Sequence, residues 1–184
     1  MERAVARNLT FTTYQTWGFS MLLYIVRHAW ATHPDDPGYP DDRQRPLTKE
    51  GRKRFAKVVE KLAQRAFRPQ VIVTSPLLRC VQTAELIAAG IPGKPEIIQR
   101  SELEPGSNLE ELLQWMNLEL VKYDEVAWVG HNPDVGHSTA ALVGAGEEAL
   151  DFSKGAVAAI RFEDPPAKGA GVLHWLATAK ILGC

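Results

Sequence analysis

Three short runs of continuous hydrophobic residues constrain this chain more than any other feature. They are Leu22-Leu23-Tyr24-Ile25-Val26, Val71-Ile72-Val73 and Val126-Ala127-Trp128-Val129. A strand with one wet face alternates polar and apolar side chains. Runs this short and without alternation belong to strands buried on both faces, as in a parallel sheet covered by helices on either side. Helical spacing fills the intervals. Thr48 is a plausible N-cap for a helix carrying Phe55, Val58, Val59, Leu62 and Ala66 inward to about Phe67. Ser75-Pro76 reads as N-cap plus first-turn proline of a helix to about Ala89, ended by Gly90 and Pro92. Asn108 to Val121 and Val135 to Val143 read as two more helices, and Glu96 to Gln99 as a further strand. Ala156 to Phe162 and Val172 to Leu176 read as a closing hairpin turning over Asp164 to Gly171. The expected fold is α/β: a three-layer α/β/α sandwich around a mostly parallel central sheet.

At 184 residues the chain suits one domain, expected over residues 21–184, with residues 1–20 as an N-terminal extension or an over-long start before Met21. The Arg- and hydroxyl-bearing start faintly resembles a transit peptide, but an ordinary extension is the plainer reading. Lys and Arg number 21 against 22 Asp and Glu, which argues against a nucleic-acid binder or a polybasic membrane module. No apolar run approaches the roughly 18 residues of a membrane span. Cys80 and Cys184 make neither a disulfide framework nor a zinc motif. The expectation is a cytoplasmic domain.

Ligands of open α/β sheets gather beyond the carboxyl ends of the parallel strands. Here the first strand ends in Arg27-His28, the second runs into Ser75 with Arg79 one turn on, and the fourth ends in His131. Two imidazoles and two guanidiniums would meet on one rim, and the guest such a rim suits is a phosphate. A histidine nucleophile needs a neutral nitrogen, and neighbouring guanidiniums disfavour its protonated form. That role is expected of His28. Arg27 and Arg79 would hold the equatorial phosphoryl oxygens, and His131 would donate a hydrogen bond to the same group. The bond made by the other ring nitrogen of His28 decides which one attacks.

Tyr24-Ile25-Val26-Arg27-His28-Ala29 resembles the Arg-His signature of the histidine phosphatase (phosphoglycerate mutase-like) superfamily. Arg45-Pro46-Leu47-Thr48-Lys49-Glu50-Gly51, the segment Ser75-Pro76-Leu77-Leu78-Arg79-Cys80-Val81-Gln82-Thr83-Ala84, and Gly130-His131-Asn132-Pro133 resemble three further motifs of it, in family order. Compactness and Ala29 are similar to the SixA-type phosphohistidine phosphatases. The resemblance implies a phosphoglycerate mutase-like fold, no metal or other cofactor, and a covalent phosphohistidine intermediate. It adds Arg45 to the oxygen-binding arginines. It also implies that ester-cleaving members place a general-acid glutamate after the third strand. Glu102 or Glu104 would fill that role here, with Glu104 favoured, and its presence in the pocket would add weight to ester substrates. The expected partner is a protein carrying phosphohistidine. The alternative is a small phosphorylated metabolite cleaved by the same chemistry, and a phosphate-binding module without turnover ranks last. Trp30 is expected at the entrance, and the basic run Lys49, Arg52, Lys53, Arg54 reads first as a solvated face and second as a docking site for an acidic protein.

Overall fold

The computed structural model describes residues 19–184. The extension expected over residues 1–20 lies outside the described residues except for Phe19, which packs at the core's edge, and Ser20. The elements run β1 (Met21–Arg27), α1 (Lys49–Ala63), β2 (Val71–Thr74), α2 (Leu78–Gly90), β3 (Glu96–Gln99), α3 (Leu109–Glu119), β4 (Glu125–Gly130), α4 (Asp134–Leu142), β5 (Val157–Phe162) and β6 (Val172–Ala177). The six strands form one sheet in the order β3-β2-β4-β1-β5-β6. β3, β2, β4 and β1 are mutually parallel, and the β5–β6 hairpin joins β1 antiparallel.

Both faces of the sheet are covered, which is why the central strands carry no polar alternation. Tyr24 and Val26 of β1 face α1 and α2, among Phe55, Val58, Val59, Ala84 and Ile87. Leu23 and Ile25 face the opposite way, among Leu112, Leu113 and Met116 of α3 and Val135 and Leu142 of α4. Each such side chain, once buried, contributes about 1.5–3 kcal/mol. The expected three-layer α/β/α sandwich is therefore present. Among the described residues no helix is long and apolar enough to cross a membrane.

Two helix boundaries differ from the sequence expectation. α1 stops at Ala63 instead of near Phe67, because the chain turns over at Ala66 (φ 64°) and the Phe67 amide bonds back to the Leu62 carbonyl at 3.1 Å. The turn drops Phe67 edge-on against Tyr24, ring centroids 4.7 Å apart. α2 begins at Leu78 with Leu77 as its uncapped N-cap, so Ser75 is not the capping residue. The Ser75 hydroxyl accepts a long bond from the Leu77 amide at 3.4 Å and meets His131 Nε2 at 2.9 Å. Thr48 does cap α1: its Oγ1 accepts from the Gly51 amide at 2.9 Å.

Candidate active site

The parallel register of β1 and β4 sets Arg27 opposite Gly130, and the His28 amide donates to the Gly130 carbonyl at 3.0 Å. The residues that follow each strand, His28 and His131, are thereby laid side by side, ring centroids 5.3 Å apart and planes inclined by 60°. β2 lies on the other side of β4, so the chain leaving it at Ser75 delivers the start of α2, and Arg79 with it, to the same rim. Arg27, His28, Arg45, Arg79 and His131 all line one open cavity of about 240 Å³. All but Arg27 are less than a tenth exposed.

His28 Nδ1 lies 2.8 Å from the Ala29 carbonyl oxygen. A carbonyl can only accept, so Nδ1 holds the ring proton and donates it, and Nε2 keeps the free lone pair. Burial, reinforced by the charges of Arg79 and Arg27 and by His131, pushes the His28 pKa down to about 3, against the opposing pull of the Ala29 bond. Burial first, then Arg79, Arg45 and Arg27, take His131 down to about 3 as well, with Asp42 pulling the other way. Both rings are neutral at pH 7. Burial raises the Cys80 thiol to about 12; its Sγ sits 3.4 Å from His131 Nε2. It is an uncharged packing group beside the ring.

Main-chain atoms and one carboxylate hold the guanidiniums in place. Arg27 Nη1 donates to the Phe152 carbonyl. Asp42, in a short helical turn over Asp42–Gln44, bridges the other two arginines. Its Oδ1 accepts from Arg45 Nε at 2.8 Å, its Oδ2 lies 3.0 Å from Arg79 Nη2, and its main-chain oxygen accepts from Arg79 Nη1 at 2.8 Å. Burial would raise the Asp42 carboxyl, but the hydrogen bonds and charges of Arg45 and Arg79 overcome it and hold the group below the usual carboxylate range. Arg27 Nε and Arg79 Nε are buried donors with no partner among the described residues. Orphaned buried donors are rare in folded chains, and two in one cationic rim suit an anion.

The motif residues around the rim have structural jobs. Gln82 Oε1 accepts from the Leu47 amide at 2.8 Å, tying α2 to the Arg45 segment. Thr83 Oγ1 accepts from the Ala29 amide at 3.1 Å and donates to the Arg79 carbonyl at 2.7 Å, locking the end of β1 onto α2. A Cβ on Gly51 would stand 2.2 Å from the Trp30 carbonyl oxygen, so only glycine lets the first turn of α1 approach the chain leaving His28.

Glu104 is not among the residues lining the cavity. Its two carboxylate oxygens accept from Arg43 Nη1 and Nη2 at 2.6 and 3.2 Å. Glu102 pairs with Arg100 and accepts from the Ser101 hydroxyl. The neighbour Pro105 reaches the cavity wall, with Pro34, Asn132 and Lys154, and among the described residues no carboxyl group lines it. The sequence singles out neither Asp42 nor Lys154, and Asn132 stands in it only as part of the Gly130–Pro133 motif. Asp42 stands three residues before Arg45 in a loop full of charge; Lys154 precedes β5 with no motif around it. Trp30 faces a neighbouring cleft instead of the cavity that His28 and His131 line. Among the described residues no group of three or more His, Cys, Asp or Glu side chains is placed to hold a metal ion.

A family model described as histidine phosphatase superfamily (branch 1) matches residues 23–162. An uncharacterized protein of Picosynechococcus is 38% identical over 124 residues, 66% of this chain and 73% of that protein. The solved structure of the protein histidine phosphatase SixA complexed with tungstate superposes with a TM-score of 0.75 at 24% identity, covering 88% of this chain and 99% of that one. A mycobacterial glucosyl-3-phosphoglycerate phosphatase superposes with a TM-score of 0.64 at 15% identity, covering 86% and 100%. At these identities the two structures speak for the fold alone.

Proposed function

The chain belongs to the histidine phosphatase superfamily, and on that premise we propose that it removes the phosphoryl group from phosphohistidine on a partner protein, with His28 as the nucleophile. His28 Nε2 attacks phosphorus in line. The P–N bond to the substrate ring breaks, and its electron pair returns to the leaving nitrogen. The leaving imidazole departs neutral because its far nitrogen carries the proton. In the intermediate the phosphorus is on Nε2, and the Nδ1–H···O=C bond to Ala29 steadies the positive ring. Arg27, Arg45 and Arg79 hold the equatorial oxygens, where transition-state charge collects, and His131 adds a neutral ring donor. Water then attacks phosphorus, the Nε2–P bond breaks with its pair returning to Nε2, and the water's proton leaves with phosphate or to solvent.

One observation carries the choice of substrate: among the described residues the cavity wall includes no carboxyl group, and Glu104 is engaged by Arg43. A phosphate ester of a simple alcohol leaves as an alkoxide and needs a proton at that moment, whereas imidazole leaves without one. The test compares a phosphohistidine peptide, phosphoramidate and an alkyl phosphate in excess EDTA, using wild type, His28→Ala and Glu104→Gln. Expected are turnover of both P–N substrates far above the alkyl ester and no more than about a twofold change in Glu104→Gln. His28→Ala should lose roughly a thousandfold or more in kcat with its fold retained. Full turnover in His28→Ala would end the nucleophile assignment. A large Glu104→Gln loss confined to the ester would favour a small-molecule phosphate ester as substrate.

A further inference from the structure

Beside the cavity that His28 and His131 line there is a second, larger cleft of about 410 Å³, and Lys154 lines both. Its other walls include Trp30, Arg54, Ser153, Thr178 and Lys180. Among the described residues no acidic side chain lines it. Arg54 sits over Trp30, its guanidinium carbon 4.2 Å from the ring centroid, which fixes a positive charge at the cleft wall. Arg54, Lys154 and Lys180 are exposed, and among the described residues none of them pairs with an Asp or Glu side chain; Arg54 Nη2 donates to the Cys184 main-chain oxygen at 3.0 Å.

The surrounding charge extends the pattern. Residues 43–68, which include α1, carry ten Lys and Arg against two Glu. Residues 101–125, which include α3, carry seven acids against one Lys. α1 and α3 cover opposite faces of the sheet, so a chain of formal charge −1 is positive on the side that holds the cleft. Resting on the phosphatase reading above, we propose that this cleft is the leaving-group subsite and docks acidic residues flanking the phosphohistidine of the partner protein. The exposed cationic side chains of Arg54, Lys154 and Lys180, on long flexible stems, suit an extended acidic polypeptide. A small-molecule site would instead place buried, convergent polar groups around its ligand.

The probes are two phosphohistidine peptides of equal length, one flanked by glutamates and one by glutamines, with phosphoramidate as the control substrate. Three exposed charge pairs predict about a tenfold higher kcat/KM on the glutamate peptide at low salt. The preference should vanish at high ionic strength and in Arg54→Glu/Lys180→Glu, while phosphoramidate turnover by that variant stays unchanged and so reports an intact fold and site. Equal kcat/KM on the two peptides, or the same preference in the double variant, overturns the docking assignment while phosphoramidate turnover leaves the phosphatase reading standing. Failure to turn over phosphoramidate and both peptides overturns the phosphatase reading and this inference with it.

Discussion

A single hydrogen bond orients the proposed nucleophile: with Nδ1–H given to the Ala29 carbonyl, His28 presents a lone pair at Nε2. Its depressed pKa means that the lone pair survives acidification. Histidine NMR should find the His28 and His131 rings neutral from pH 8 to pH 5, with proton uptake only as the pH falls toward 3. Protonation of either ring with a midpoint above pH 6 would contradict the burial that causes the shift. At this scale the sequence revealed the groups whose residue types are rare and reactive: Arg27-His28, Arg79 and His131. The position of Glu104 could not be foreseen, because the forked bond from Arg43 is a contact between segments 61 residues apart. Asp42 and Lys154 are equally invisible as isolated letters, since a carboxylate in an acidic loop and a lysine before a strand look like ordinary solvated charge.

Elements meet at the rim through a few close approaches, and Gly51 is the tightest. Its neighbour across the gap is backbone, the Trp30 carbonyl that also accepts from the Thr48 amide at 2.9 Å. Gly51→Ala therefore forces α1 away from the chain that follows His28. The expected outcome is a loss of about 1–3 kcal/mol in urea unfolding, with weaker phosphate binding because the displaced segment carries Arg45. A variant as stable as wild type would mean that the two backbones part without consequence. Element type and order were legible throughout, since buried strands and amphipathic helices leave different periodicities. The end of α1 was not, because the turn uses Ala66 at positive φ where glycine is the usual signal. The start of α2 was displaced by two residues: Ser75 Oγ accepts from the Leu77 amide at 3.4 Å and also meets His131 Nε2, but regular helix begins only at Leu78.

The whole molecule stores its reactive groups in a form the unfolded chain does not share. His28 and His131 are held neutral in the fold but bind protons at about pH 6.5 once unfolded. Between pH 6.5 and about 3 the unfolded state therefore binds more protons, so stability rises with pH across that window and drains away on acidification. The slope approaches about 1.4 kcal/mol per pH unit for each ring. Urea midpoints should fall steadily from pH 6.5 to pH 4.5, and less steeply in His131→Gln; a flat profile would refute the assignment. The layered sheet itself was readable from three hydrophobic runs, while the convergence of the loops over it depends on register. The segment entering β5 shows what such convergence permits. The Phe152 and Ala156 carbonyls accept from Arg27, and the Gly155 amide donates to the His28 carbonyl at 3.2 Å, all through the main chain. Side chains at Ser153 and Lys154 are thus at liberty to change during divergence, so descendants of this scaffold can acquire new clientele without retooling the reaction.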